Sequence, residues 1–269
     1  MTGTVFINTL RRNWRSALYW AIGIALLGLY IIVVIPDIDV LEQYAGLINN
    51  MPPVLLNALG ISDTAQIATP EGFLAVGFFG YIMLVLAAYG VIAGLNVTAN
   101  DEDRGTLDMV LSLPVPRWRV ILERFLAFAL ILIFILALTG ASMIIVAQTV
   151  SGVTFDTGKI AQGVLNMLPG SLTVLAFTTF AGALLRSRAT AAAVAAGFVV
   201  LSYFIDFIGN AASETAAASL RVLSFFRYYD GGHIMSTGLQ WGNILVLVVA
   251  AVVLVAGSLW FFQRRDIGL

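Results

Sequence analysis

Six stretches of this sequence are apolar over a length that spans a lipid bilayer, and that pattern limits the fold more than any other feature. A hydrocarbon core of about 30 Å takes about 20 helical residues, because a helix satisfies its own backbone hydrogen bonds where no water can. The stretches cover residues 17–35, 73–98, 125–148, 163–185, 189–209 and 243–262. Arg186-Ser187-Arg188 stands between the fourth and fifth, which predicts a tight helical hairpin turning at the membrane surface. The expected fold is all-α: one polytopic transmembrane domain over residues 1–269, with six transmembrane helices. The first run is too long for a signal-peptide core and has no small-residue cleavage site before Pro36, so it is expected to stay as a helix.

Composition removes several function classes. The chain is 60% hydrophobic and 11% charged, against roughly 25% charged in soluble domains. Its net charge of −1 gives no field for nucleic acid. Without cysteine, and with His233 as the single histidine, thiol chemistry is excluded and little remains for a metal site. The lone lysine, Lys159, stands in FDTGKIAQ and not in the GxxxxGK[ST] loop that cradles nucleotide phosphates. No catalytic, cofactor-binding or metal constellation emerges, and His233 beside Asp230 in YYDGGH reads as a solvated loop residue. Energy for any transport must come from another polypeptide or from an ion gradient.

Basic residues set the expected orientation, since cytoplasmic loops are enriched in them. With both termini inside the cell, the cytoplasmic side collects Arg11, Arg12, Arg15, Arg104, Arg117, Arg119, Arg124, Arg186, Arg188, Arg264 and Arg265, eleven of fourteen basic residues. The N-terminal TVFINTLRRNWRSALYW places Phe6, Leu10, Trp14 and Ala17 on one helical face and Arg11, Arg12 and Arg15 mostly elsewhere. It reads as an amphipathic interfacial helix before the first span, or as topology-setting charge. Outside, Pro52 and Pro53 are expected to start a short helix that Gly60 ends. In the second outer segment, residues 210–242, a surface or partly re-entrant helix is followed by Phe225, Phe226, Tyr228 and Tyr229, which read as an interfacial aromatic belt or a substrate contact.

The charge-dense segment is ANDEDRGTLDMVLSLPVPRWRVILERF. Thr106 can cap a helix of barely two turns that Pro114 stops. On it Leu107, Met109, Val110, Leu111 and Leu113 cover an arc of about 200°, leaving Asp108 and Ser112 on a narrow polar edge. One apolar face can rest on the spans, whereas the second needs a partner surface. A grooved protein would take the apolar knobs while Asp101, Glu102, Asp103 and Arg104 met its rim.

This run resembles the signature loop of type 2 ABC transporter permeases, with Glu102, Gly105, Thr106, Leu107, Leu111, Ser112, Pro114, Val115 and Arg117 matching in place and Asp108 replacing the commoner Glu. LRRNWRSALYW, MPPVLLNALG with TPEGFLA, and the ending FFQRRDIGL are similar to segments of an antibiotic- or drug-export branch of that family. The resemblance implies a cytoplasmic coupling helix, with Glu102, Gly105, Thr106, Leu107, Asp108, Val110 and Leu111 transmitting movement from a cytoplasmic ABC ATPase. Two ATPase copies would bind ATP and magnesium, this chain would bind no cofactor, and a second permease half would complete a homodimer or heterodimer in the cell membrane.

The expected function is export of an apolar or amphipathic compound such as a drug, antibiotic or lipid. The main interior polar groups are Asn96, Thr98, Thr139, Ser142, Gln148, Thr173, Thr178, Thr179 and Ser202, each equally suited to tying helices together. Gly77, Gly80 and Gly90 suit close packing at a dimer contact. The alternatives are an ion-coupled secondary transporter and a polytopic membrane enzyme. For the former, the one ionisable residue in the spans, Asp206, lies about 26 Å along its helix, where it fits a boundary residue or a partner for Arg221.

Overall fold

The structure is a computed structural model that describes residues 3–34, 41, 46–48, 50–58, 61, 69–98, 116–150, 153–185, 187–213 and 215–264. Six of its helices are long and apolar enough to cross a membrane: α1 (Thr4–Val34), α3 (Pro70–Val97), α4 (Arg117–Ala147), α5 (Thr157–Leu184), α6 (Arg188–Ala211) and α10 (Trp241–Arg264). Pro53–Ala58 forms the expected short helix, α2. Between α6 and α10 lie three short helices, α7 (Ala217–Leu220), α8 (Phe225–Tyr229) and α9 (Ile234–Thr237). Six crossings bring both ends of the described chain to one side, here called the terminal face; the opposite side is the far face.

The interfacial helix and the first span are one element. α1 runs unbroken for 31 residues, about 46 Å at 1.5 Å per residue, so its first turns project beyond a hydrocarbon core. No glycine or proline interrupts Thr4–Val34 before Gly23, which leaves no hinge at which a surface helix would bend away. Leu10 and Ala17 pack against the core as their spacing predicts, but Trp14 is 53% exposed.

α5 is the axis of the bundle. It packs against α3, α4, α6 and α10, while α1 lies alongside α4. Small residues allow these approaches: a Cβ on Gly94 would lie 2.5 Å from Thr178 Cβ, and one on Gly163 would lie 2.5 Å from the Phe79 ring. Gly90 meets Val174 of α5 in the same way, so its close packing is within the chain and not at the expected dimer contact; Gly77 faces Ile31 of α1.

Each span begins where local chemistry dictates. Thr69 caps α3 by accepting from the Gly72 amide at 3.1 Å, with Pro70 in the first turn. Asp156 caps α5 through the amides of Gly158 and Lys159. Ser187 caps α6, so the arginine-flanked turn is the tight hairpin its sequence predicts. The buried hydroxyls mostly bond to their own helices: Thr139, Thr178 and Thr179 each donate to the carbonyl four residues back. Thr173 also reaches another span, donating to the Leu247 carbonyl of α10 at 3.1 Å.

Candidate functional site

Residues 99–115 fall outside the described residues, and with them the expected coupling positions Glu102, Gly105, Thr106, Leu107, Asp108, Val110 and Leu111. The two ends of that segment are described, and both are fastened to the base of the bundle. On the α3 side, Arg124 Nη1 donates to the Val97 carbonyl at 3.3 Å. A guanidinium on the last carbonyls of a helix satisfies acceptors that the helix leaves open and complements its dipole. On the α4 side, Glu123 accepts from the Gly3 amide at 3.2 Å, the Phe6 amide at 3.1 Å and Arg119 Nε at 2.9 Å. Its carboxylate supplies the acceptor that the first turn of α1 lacks in its own sequence, where there is no acidic residue. Glu123 was not singled out by sequence reasoning; the Arg119–Glu123 spacing of four residues was the available signal.

Arg11, Arg12, Trp14 and Arg15 all lie exposed on the projecting turns of α1, and the Arg15 guanidinium sits 5.5 Å from the Trp14 ring centroid. This exposed cationic and aromatic band is what an interfacial segment needs.

The far face holds a second feature. The chain between α6 and α10 is an inserted segment that penetrates the bundle, not a surface belt. Phe225, Phe226 and Tyr229 are all buried, against the expectation of an aromatic ring at headgroup level. Rings stack from the spans into the insertion: Phe177 on Phe198 at 4.0 Å, Phe198 on Phe225 at 5.5 Å, Phe225 on Phe226 at 4.3 Å. Burying these rings draws the segment inward, and polar contacts fix its depth. Tyr229 donates its hydroxyl to the Phe79 carbonyl at 2.7 Å, Asn166 of α5 donates to the Tyr229 carbonyl, and Ser224 donates to the Ser202 carbonyl. Phe79 closes a π-helical turn, Ala75–Phe79, within α3; such turns are wider than α and often mark functional positions. Gly231 is obligatory beside it, since a Cβ there would lie 2.3 Å from the same carbonyl.

Four charged groups gather where the insertion meets α6. Asp206 accepts from Arg221 Nε at 2.9 Å and from Asn210 Nδ2 at 3.1 Å, which is the expected Asp206–Arg221 partnership. Asp230, in the left-handed region at φ 43°, lies 2.7 Å from His233 Nδ1. His233 is therefore paired and half-buried, not the solvated loop residue its Gly-Gly neighbours implied. The hydrogen bond to Asp230 raises the imidazole pKa above its ordinary value, against burial and the Arg221 charge. Burial pushes the Tyr229 phenol far up, which keeps it a neutral donor.

A model described as ABC-2 family transporter protein matches residues 4–267, from the start of α1 to beyond the end of α10. The chain belongs to the ABC-2 transporter family. The sequence-level resemblance to type 2 ABC permeases is thus correct, and the chain is a membrane component of transport whose family implies an ABC ATPase partner. No curated protein matches the chain in sequence.

Proposed function

We propose that this chain is the membrane-spanning half of an exporter driven by ATP hydrolysis on separate chains. The terminal face is cytoplasmic, a reading that the distribution of arginines supports, and residues 99–115 form the helix that docks in the ATPase. The observation that carries this reading is the anchorage on either side of that segment: Arg124 holds the end of α3 and Glu123 the start of α1. A push delivered between them reaches α1, α3 and α4 together. α5 packs on two of these three, so the displacement is passed to the bundle axis without any long unsupported lever.

Two six-span halves, identical or related, and two ATPases holding ATP and magnesium complete the complex. Among the described residues α5 occupies the axis of the bundle, which supports a route between two halves. The solute is an apolar or amphipathic compound of the kind that drug and antibiotic exporters carry.

The test is affinity purification of the tagged chain in mild detergent, alone and as the L107D/L111D double variant. We expect a P-loop ATPase to accompany the wild-type chain and to be lost from the variant, with membrane insertion unchanged. Full ATP-driven transport by the double variant overturns the docking assignment.

A further inference from the structure

The charged groups near the far face surround a cavity of about 80 Å³ that neither membrane anchoring nor ATPase docking uses. Three elements build it: Gly80 and Tyr81 of α3, the Tyr203–Asn210 part of α6, and the insertion from Phe226 to His233. Asp206 and Asn210 lie within the last six residues of α6, so the cavity sits toward the far end of the bundle.

Its charges cancel only while His233 is protonated; above the raised imidazole pKa they do not. Asp206 and Asp230 contribute two negative charges, and Arg221 one positive charge against Asp206. With His233 neutral, one negative charge remains. The Asp206 and Asp230 side chains are 18% and 32% exposed, so water compensates that charge only partly. Aromatic rings supply much of the remaining wall: Tyr203 stacks with Phe207 at 6.1 Å and meets Phe226 edge-on at 5.6 Å. Ring faces attract cations, by about 0.5–2 kcal/mol each depending on desolvation. A residual negative charge among aromatic rings suits a cation with some apolar character. A metal ion is the poorer fit, because among the described residues no three His, Cys, Asp or Glu side chains converge as ligands.

We propose that this cavity binds the protonated amine end of an organic cation, whose first carbons meet the rings of Tyr203, Phe207 and Phe226. The cavity admits an ammonium group and its first carbons, and these three rings are part of its lining. On the exporter reading, on which this identification of the solute rests, the site lies on the exit side. The class of solute is then a cationic amphiphile.

His233 competes for the same charge. Asp230 and Arg221 from its own segment and Asp206 from α6 act on it, with the hydroxyls of Tyr81, Tyr203 and Tyr229 nearby. Once His233 is protonated, its charge neutralises the cluster and the amine loses its partner. Amine affinity therefore falls as pH drops through the raised imidazole pKa, and an acidic exterior favours release.

The test uses the full-length chain in lipid nanodiscs, with benzylamine as probe, benzyl alcohol and benzoate as controls, and empty nanodiscs as blank. Saturable binding of benzylamine alone is expected, weakened at least about tenfold by Asp230→Asn. Asparagine tolerates the left-handed backbone at this position, so the variant removes charge and little else. Affinity in the wild type is expected to fall severalfold between about pH 8 and about pH 5.5, and His233→Gln to flatten that dependence. Equal binding of benzyl alcohol, or unchanged amine binding by a well-folded Asp230→Asn chain, overturns the proposal. If that variant does not fold, the wild-type pH profile decides: affinity that stays level or rises on acidification also overturns it. No ATPase takes part, so failure here leaves the docking assignment standing, and the reverse holds.

Discussion

α5 and α10 lie side by side and obey opposite rules. α5 has the lowest mean hydropathy of the six spans, 1.5, and 72% of its most apolar stretch is buried; α10 has a mean hydropathy of 2.8 and only 17% buried. In water the oiliest helix would be the innermost. In a bilayer, lipid tails solvate Leu and Val as well as protein does, so burial selects small and hydroxyl-bearing residues that let backbones approach. α5 buries Gly163, Gly170, Ser171, Thr173, Thr178 and Thr179, whereas α10 turns Leu245, Val252 and Val253 outward.

The largest effect that sharpens this contrast is expected on the α3–α5 seam. Gly94→Val forces a side chain onto Thr178 and the Leu175 carbonyl, and overpacking of this kind costs about 3 kcal/mol. Detergent-solubilised protein should show a markedly lower unfolding temperature. Next comes the tie between the insertion and the π turn: Tyr229→Phe removes the donor to Phe79, worth about 1 kcal/mol, and should speed hydrogen exchange in the insertion with the spans unaffected.

Smaller still is the His233–Asp230 pair. The folded-state imidazole pKa lies above the ordinary value, so its stabilisation is full below about pH 6.5 and is lost as pH rises through the folded pKa. Thermal unfolding of wild type against His233→Gln should show their difference shrinking over that interval. On α10, Val253→Ala, at a side chain 63% exposed, should move stability by no more than about 0.5 kcal/mol. A large loss there would break the contrast, because it would mean that this face of α10 is covered by protein.

The same contrast explains what the sequence could reveal. Apolar run length identified six spans, since lipid imposes that length on every one, and Arg186-Ser187-Arg188 marked the turn between the fourth and fifth. High hydropathy did not mark the central span: α5 has the lowest mean hydropathy of the six, the reverse of the rule for proteins in water. The depth of the insertion was hidden for a related reason. Phe225, Phe226 and Tyr229 have the composition of an interfacial belt, and only the long-range bonds of Tyr229 to Phe79 and Asn166 and of Ser224 to Ser202 distinguish a buried wedge from a surface girdle. Asn166 was overlooked as one amide in an apolar helix, although an unexplained amide at such a position is itself a signal. At the terminal face the position was reversed: Glu102, Gly105 and Leu107 were legible as a motif, while Glu123, whose partners lie 117 and 120 residues away, was not.

That last distance has a consequence for biogenesis. The acceptor for the first turn of α1 is carried on α4, so that turn cannot be completed until 117 further residues have been added. At about 5–20 residues per second, roughly 6 to 23 s pass between synthesis of Phe6 and of Glu123. During that interval the amino end of the nascent chain is open to water, lipid headgroups or chaperones, and the arrival of α4 closes it.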